Sequence, residues 1–228
     1  MAAVLITGSS RGLGRSLSLA FAFAGYDVIL HGRDVVRLES VEKDVVRYGV
    51  RCQVVVGDLN EESIITELAD CAKEFNIGIL INNAGVYLQK SVSETTSDEV
   101  KYLTEVNLFA PIKLTKRIFE NHFKKQNYGQ IININSVAGK NASVYESAYS
   151  ATKHALRGFM NAFQYEAIKY HVSIMNIYLG AMQTSMTEGR RDSEKFMKIK
   201  EVADFICKSS ENYSSIRITE IELLRKLY

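Results

Sequence analysis

Short apolar runs alternate with longer amphipathic segments along the whole 228-residue chain. Runs such as AVLIT, DVIL and IGILI are apolar at consecutive positions, which is typical of strands buried on both faces of a parallel sheet. Strict alternation of strand and helix predicts one α/β domain, residues 1–228, with a doubly wound parallel sheet. The single proline, Pro111, indicates the start or a kink of a helix. We predict strands at 3–7, 27–31, 52–56, 77–82, 130–135, 172–179 and 216–223, and helices at 14–24, 34–48, 61–75, 97–126, 147–170 and 200–209.

Composition and charge argue against several classes of function. Hydrophobic residues make up 46% of the chain, charged residues 24%, and the formal net charge is only +2. Without a long run of like charges, neither a nucleic-acid partner nor a membrane partner is expected. The apolar N-terminal run lacks a basic flank and stops at Gly8, so we interpret it as a buried strand rather than a signal peptide. We therefore expect a soluble, cytoplasmic protein.

The three cysteines, Cys52, Cys71 and Cys207, are odd in number and far apart in the sequence. Their spacing fits neither a disulfide framework nor a metal site. We interpret them as small, buried side chains and expect no metal.

A glycine-rich loop follows the first strand. Gly8, Gly12 and Gly14 lie in the stretch LITGSSRGLGRSLSLAFA, which passes from a buried strand into a helix. Glycines at such a turn let the backbone approach a diphosphate at the positive end of the helix. The spacing G-x-x-x-G-x-G differs from the common G-x-G-x-x-G, and no Gly-Lys-Ser/Thr follows, which excludes a P-loop.

This loop resembles the cofactor loop of the short-chain dehydrogenase/reductase family, and further motifs follow in that family's order. The resemblance extends over nearly the whole chain. It implies a Rossmann-type fold, with a seven-stranded parallel sheet and helices on both faces, and an oxidoreductase similar to the carbonyl and 3-oxoacyl reductases. It also implies a small carbonyl or alcohol substrate and a homodimer or homotetramer. The motifs are Asp58-Leu59, Asn82-Asn83-Ala84-Gly85, Asn107, Ser136 and Tyr149-x-x-x-Lys153.

The resemblance assigns candidate roles to individual residues. Tyr149 would be the general acid and base, Ser136 would bind the substrate oxygen, and Lys153 would bind the nicotinamide ribose. Asn107 would help to hold a water in a proton relay to the lysine. The candidate cofactor-binding residues are Gly8, Ser10, Arg11, Gly12, Leu13, Gly14, Arg33, Asp58, Leu59, Asn83, Ala84, Gly85, Tyr149, Lys153, Gly180 and Thr184.

The four-residue spacing of Tyr149 and Lys153 has a chemical reason. An ammonium one helical turn away stabilises a phenolate, which lowers the phenol pKa from its usual value near 10 and eases proton transfer. The chain contains a second such pair, Tyr165 and Lys169, so spacing alone does not identify the reactive one. No serine-bearing strand end precedes the second pair, and we place it mid-helix, as surface packing. His154, next to Lys153, is expected to face elsewhere, because adjacent helical positions point about 100° apart.

The end of the second strand favours NADP(H) over NAD(H). Gly32 and Arg33 stand where relatives that use NAD commonly carry an acid, and a guanidinium can bind a 2′-phosphate with bidentate geometry. Arg11 is a second basic group in a position that NADP-preferring relatives use. The rival is Asp34, a candidate ribose-binding acid that could instead cap the next helix. Asp58 would bracket the adenine, although it too could be a helix cap.

The chain departs from the family pattern after the sixth strand. Leu179-Gly180 replaces the Pro-Gly of many relatives, while Thr184 still matches a residue that binds the nicotinamide carboxamide or a nearby phosphate. The substrate lid, around 181–198, is short.

Two classes of function remain open at this stage. The first is an NADP(H)-dependent enzyme that transfers a hydride between nicotinamide and a carbonyl or secondary alcohol. The alternative is a catalytically inactive NADP-binding sensor or scaffold with the same fold, against which the complete catalytic set argues.

Overall fold

Seven parallel strands form one sheet, in the order β3-β2-β1-β4-β5-β6-β7. The computed structural model describes residues 3–183, 193–211 and 216–226. The strand order reverses between β1 and β4, so the loops that follow these two strands diverge and leave a crevice. The predicted doubly wound, Rossmann-type α/β fold is confirmed. The strands are β1 Ala3–Thr7, β2 Asp27–Gly32, β3 Cys52–Val56, β4 Ile77–Asn82, β5 Gly129–Ser136, β6 Val172–Leu179 and β7 Glu220–Leu223.

Helices cover both faces of the sheet, because successive residues of its strands point to opposite sides. Ala3 and Leu5 of β1 pack with α3, α5 and α7, whereas Val4 and Ile6 pack with α1, α2 and α8. The helices are α1 Gly12–Phe23, α2 Val35–Val46, α3 Glu62–Glu74, α4 Ser97–Thr104, α5 Ala110–Ile118, α6 Lys124–Gln126, α7 Ser147–Ala167 and α8 Ile199–Ser209.

The predicted long helix over 97–126 is one helical path with two wider turns. The π-helical turns Glu105–Phe109 and Phe119–Phe123 join α4, α5 and α6. Pro111 lies in the first turn of α5, just after the first of them. A proline has no N–H to donate and its ring clashes with the carbonyl four residues earlier, which here is that of Asn107. A wider turn accommodates both effects without ending the helix.

The last strand is shorter than predicted. Residues 216–219 are not part of β7, which begins at Glu220 and pairs only with the carboxyl half of β6, from Asn176 to Leu179. The apolar residues Ile216 and Ile218 favoured an earlier start, but apart from the bond of 2.9 Å that the Thr219 carbonyl accepts from the Asn176 N–H, residues 216–219 do not pair with β6.

The helices and the metal-ligating side chains bear on two possible functions, membrane insertion and metal binding. Among the described residues, no helix combines the length and the apolarity that a membrane crossing requires. Over the same part of the chain, no three His, Cys, Asp or Glu side chains lie close enough together to hold a metal ion.

Candidate active site

A cleft of about 740 Å³ opens at the carboxyl edge of the sheet, where the strand order reverses. Every predicted cofactor residue that the structure describes lines this cleft, and so does Ser136. Thr184, the remaining predicted contact, lies outside the described residues. The lining includes Gly8, Ser10, Arg11, Gly12, Leu13, Gly14, Arg33, Asp58, Leu59, Asn83, Ala84, Gly85, Ser136, Tyr149, Lys153 and Gly180.

The loop after β1 brings backbone close to backbone. Gly8 and Gly12 have positive φ angles of 70° and 55°, which L side chains rarely adopt. A Cβ on Gly14 would lie 2.1 Å from the carbonyl oxygen of Gly8, whereas a Cβ on Gly12 would meet no atom within 4 Å. Arg11 precedes α1 without capping it through its side chain. The first N–H groups of the helix therefore face open space and suit an anion.

Asn83 fastens the loop after β4 to the loop after β1. Its Nδ2 donates to the carbonyls of Thr7, at 2.8 Å, and Gly8, at 3.2 Å. The backbone N–H groups of Asn83 and Ala84 both donate to the Thr7 hydroxyl, at 3.0 Å. The Asn83 amide thus shapes the glycine loop from the side.

Arg33 lies on the rim of the cleft, at the end of β2, with 62% of its side chain exposed. Its Nη1 donates to Asp58 Oδ2 at 3.3 Å and to the Tyr102 hydroxyl at 3.1 Å. Tyr102 is a cleft residue that the sequence analysis missed. These two bonds hold the Arg33 guanidinium beside the Asp58 carboxylate, which we expected to contact the adenine.

The two acids near this rim have different partners. Asp34 caps α2, because its Oδ1 accepts from the backbone N–H of Arg37 at 3.0 Å. Asp58 accepts from the N–H of Asn60 at 3.0 Å, and the N-cap residue of α3 is Glu61. The helix-cap alternative therefore holds for Asp34 and not for Asp58.

His31 is buried beneath the same rim and was also missed. Its Nε2 lies 3.1 Å from the carbonyl oxygen of Gly57, so Nε2 carries the proton. Burial lowers the pKa of His31 to about 4, and the imidazole is therefore neutral at pH 7. Its Nδ1 finds no hydrogen-bond partner within the described residues.

Ser136, Tyr149 and Lys153 converge at the other end of the cleft. Ser136 ends β5, and the 3₁₀ turn Val137–Gly139 packs against α7, which carries Tyr149 and Lys153. Ser136 Oγ accepts from the Ala138 N–H at 3.1 Å. Lys153 Nζ lies 5.8 Å from the centre of the Tyr149 ring and donates to the Ile134 carbonyl at 3.4 Å.

Burial governs the protonation of this pair. Burial raises the pKa of Tyr149 to about 12. A hydrogen bond from Ser136 lowers this pKa in part, and the charge of Glu146 raises it further. Burial lowers the pKa of Lys153 to about 8. The expected lowering of the phenol pKa by Lys153 is not found in the protein alone, where burial raises that pKa instead because it removes hydration from the phenolate.

Asn107 supports the wall of the cleft from behind. It is 1% exposed and lies in the first π-helical turn. Its Oδ1 accepts from the N–H of Val86 and its Nδ2 donates to the carbonyl of Val86, each at 2.8 Å. The side chain is therefore engaged by the Val86 backbone, with a further, longer bond of 3.4 Å from its Nδ2 to the Thr152 hydroxyl.

Two further residues beside Tyr149 escaped the sequence analysis. The Tyr87 ring packs edge-on against Tyr149, with centroids 5.0 Å apart, and its hydroxyl donates to Glu146 Oε1 at 2.6 Å. Both residues line the cleft. Glu146 precedes Tyr149 by three residues, a spacing that brings side chains together at a helix start, so a signal was present.

The predicted lid, 181–198, is described at its two ends. Met182 and Met197 form a parallel bridge in which the N–H of Gln183 donates to the Met197 carbonyl at 3.0 Å. The N–H of Gly180 donates to the carbonyl of Leu223 at 2.9 Å, which ties the start of the segment to β7.

The second tyrosine–lysine pair lies away from the cleft. Tyr165 is 70% exposed, and Lys169 follows α7 in the 3₁₀ turn Ile168–Tyr170. The pair is therefore on the surface, at the end of the helix rather than in its middle. His154 is exposed, and its Nδ1 lies 2.9 Å from the carbonyl of Ser150, so it faces away from the site.

Comparison with known proteins identifies the family and the fold. The family model described as short chain dehydrogenase matches residues 2–195. "Dehydrogenase/reductase SDR family member 7B" of Mus musculus is 32% identical over 192 residues, which cover 82% of this chain and 59% of that protein. "Dehydrogenase/reductase SDR family protein 7-like" of Drosophila melanogaster is 35% identical, with 81% and 58% covered. The chain spans less than two thirds of the length of these curated relatives.

Solved structures share the architecture over their whole length. An alcohol dehydrogenase from the archaeon Thermococcus sibiricus, complexed with 5-hydroxy-NADP, superimposes with a TM-score of 0.90 at 25% identity, covering 99% of this chain and 97% of that one. A metagenomic short-chain oxidoreductase in complex with NADP gives 0.86 at 26% identity, covering 100% and 98%. From the family match and the shared fold, the chain belongs to the short-chain dehydrogenase/reductase family of oxidoreductases.

Proposed function

We propose that this protein is an NADP(H)-dependent reductase of ketones or aldehydes, or in reverse a secondary-alcohol dehydrogenase, and that residues 1–228 act as a single dinucleotide-binding catalytic domain. The observation that carries this proposal is one continuous cleft, with a glycine loop at a helix start at one end and Ser136, Tyr149 and buried Lys153 at the other.

The cleft suits a nicotinamide dinucleotide in two respects. The glycine loop leaves open space over an uncapped helix N-terminus, where a diphosphate would lie. The Lys153 ammonium is buried and, among the described residues, has one long hydrogen bond, at 3.4 Å, so it has donors left for ribose hydroxyls. When bound, the reduced nicotinamide supplies the hydride for the carbonyl carbon.

In the proposed reaction, Tyr149 donates its hydroxyl proton to the carbonyl oxygen. A pKa of about 12 keeps the phenol protonated at neutral pH, which is the state that reduction requires. Ser136 accepts a hydrogen bond from Ala138 and donates its own proton to Tyr149 in the protein alone, and in the proposed complex that proton would instead bond the substrate oxygen. Lys153, with a pKa of about 8, is mostly protonated at pH 7 and stabilises the phenolate that remains.

The preference for NADP(H) rests on the rim at the end of β2. Arg33 is exposed and held at the cleft by Asp58 and Tyr102, and Arg11 is a second exposed cation in the lining. The competing acid, Asp34, is engaged as a helix cap. Two structural relatives, solved in complex with NADP or a derivative of it, support the same preference.

We also propose that the protein forms a homodimer or homotetramer. A groove of about 360 Å³ between α5 and α7 is lined mainly by apolar side chains, including Ile112, Phe119, Phe159 and Phe163. Apolar surface of this kind is suited to a second copy of the chain. Sedimentation of the wild type and of Phe159→Glu tests this: the variant should be the smaller species.

The deciding experiment is titration of the purified protein with NADPH and with NADH, followed by nicotinamide fluorescence, and then a panel of ketones and aldehydes. We expect NADPH to bind at least tenfold more tightly than NADH and to be oxidised by members of the panel. The matched control is Arg33→Ala, which should lose about tenfold in NADPH affinity and little in NADH affinity. Binding without turnover would support the sensor alternative, and equal binding of both nucleotides would contradict the NADP preference.

A further inference from the structure

Glu146 is a buried carboxylate that the catalytic scheme does not use. It immediately precedes α7, is 9% exposed and lines the cleft three residues before Tyr149. Its Oε1 accepts a hydrogen bond of 2.6 Å from the Tyr87 hydroxyl. That bond engages one of its two oxygens.

The ordinary structural roles of such a carboxylate are not filled here. Glu146 holds the N-cap position of α7, yet its side chain makes no capping hydrogen bond. Among the described residues, no lysine, arginine or histidine forms an ion pair with it. An ionised carboxylate in so buried a place costs free energy unless a donor satisfies it.

The surrounding backbone keeps Glu146 in this position. The preceding residue, Tyr145, has a φ of 63°, which is strained for a bulky side chain. Its carbonyl accepts a hydrogen bond of 2.7 Å from the N–H of Lys90, and the Glu146 carbonyl accepts one of 2.7 Å from Ser150. Strain of this kind persists where the surrounding contacts fix one conformation, and it directs the carboxylate to the catalytic end of the cleft.

The carboxylate is also close enough to act on the reacting group. Tyr87, which donates to it, packs edge-on against the Tyr149 ring, and the Glu146 charge contributes to the raised pKa of Tyr149. A substrate whose carbonyl oxygen lies at Tyr149 therefore has Glu146 along its flank.

We propose that Glu146 determines substrate specificity, by accepting a hydrogen bond from a hydroxyl or a protonated amine of the carbonyl substrate and by repelling substrates that carry an anionic group at that position. This inference rests on the proposed reductase function. In a buried site, a charge-assisted hydrogen bond strengthens the binding of a substrate with a matching donor, and a like charge strongly weakens binding. Both effects therefore favour substrates with a donor over substrates with an anionic group.

The test uses acetophenones that differ at one ring position, in a meta and a para series. The substituents are aminomethyl, hydroxymethyl, ethyl and carboxylate, so size is nearly constant while donor and charge change. We expect wild-type kcat/KM with NADPH to favour aminomethyl and hydroxymethyl over ethyl by about 10- to 100-fold in at least one series, with carboxylate the poorest. Glu146→Gln should lose the aminomethyl advantage and recover activity on the carboxylate, and Glu146→Ala should lose both donor advantages.

Binding separates this inference from the proposed function. The dissociation constants of the same ketones are measured by calorimetry on Tyr149→Phe and on Tyr149→Phe/Glu146→Gln, each with and without NADPH. If the wild type reduces no ketone, the proposed function fails, while the order of dissociation constants still decides the role of Glu146. Melting curves show that the variants are folded, and Glu146→Ala replaces Glu146→Gln if the latter is not.

The outcomes are distinct. Donor-bearing ketones that bind more tightly than ethyl, with that advantage removed by the Glu146 substitutions, support the inference. Equal binding in both series, tightest binding of the carboxylate, or no binding of any ketone overturns it.

Discussion

The same four-residue spacing of tyrosine and lysine occurs twice along the helical segment that begins at Ser147, with opposite results. Tyr149 and Lys153 lie in the first turns of α7, inside the cleft, with Lys153 only 6% exposed. Tyr165 is 70% exposed, and Lys169 follows it just beyond the end of the helix. Tyr149 and Tyr165 are 16 residues apart, which at 100° per residue turns the second side chain about 160° away from the first.

The difference shows that environment, not spacing, distinguishes the two pairs. Loss of hydration raises the pKa of Tyr149 from 10.0 to about 12 and lowers that of Lys153 from 10.5 to about 8, which moves the two values apart and keeps the buried phenol protonated at neutral pH. A pair surrounded by water keeps its hydration and gains nothing from being four residues apart. Two residues of the same cleft also act on the pKa of Tyr149, because the hydrogen bond from Ser136 lowers it and the charge of Glu146 raises it.

The largest expected effect separates the two tyrosines. Tyr149→Phe removes the proton donor and should lower kcat by about 10²- to 10⁴-fold, while NADPH still binds. Tyr165→Phe, the matched control, removes an exposed hydroxyl and should leave kcat within about twofold of the wild type. Initial rates with the best ketone and NADPH measure both. Comparable losses in the two variants would show that the pairs were assigned wrongly.

The two lysines give the next effect. Lys153→Met removes the buried ammonium proposed to bind the nicotinamide ribose and should weaken NADPH binding by about 10- to 100-fold. Lys169→Met should leave the dissociation constant unchanged. Nicotinamide fluorescence titration compares the two, and a Lys153→Met protein with wild-type affinity would remove Lys153 from the cofactor site.

Much of the fold was predictable, because its signals are local. Consecutive apolar residues in β1 and β4 indicate strands buried on both faces, and the alternation with helices fixes a parallel sheet. The π-helical turn around Asn107 and the late start of β7 at Glu220 were not predictable from periodicity. The first depends on how Pro111 fits against the preceding turn, and the second on the point at which the chain reaches the edge of β6.

The candidate site shows the same division. Residues that belong to ordered motifs, such as Ser136 and the glycine loop, could be named from the sequence. Tyr102 belongs to no motif, and only the folded chain brings it to the cleft, whereas the one signal for Glu146 was its spacing of three residues from Tyr149. The depth of burial, which reverses the expected effect on the Tyr149 pKa, is a property of packing that spacing does not report.

A smaller effect concerns the anchors of the two halves of α7. Asn135 Nδ2 donates to the carbonyl of Lys153 at 3.2 Å, whereas Asn161 hydrogen-bonds Asn176 and Glu220, farther along the helix. Asn135→Ala should lower kcat by about three- to tenfold, because small displacements of catalytic groups are costly. Asn161→Ala should lower the melting temperature without that loss of kcat. Equal effects on kcat would mean that α7 moves as one rigid unit.

The smallest effect is on stability, and again it distinguishes the two lysines. The Lys153 ammonium is buried and its pKa is lowered to about 8, from 10.5 when solvated, so its charge opposes folding. That cost is fully present below pH 8 and disappears as the pH rises towards 10.5, where the amine is neutral in both states.

Lys153→Met should therefore raise the free energy of unfolding at pH 7 by about 1 kcal/mol, or the melting temperature by about 2–4 °C. The gain should shrink between pH 8 and 10, whereas Lys169→Met should show neither the gain nor its pH dependence. Thermal melts from pH 6 to 10 measure both variants, and a destabilised Lys153→Met at every pH would show that the protein already compensates the buried ammonium.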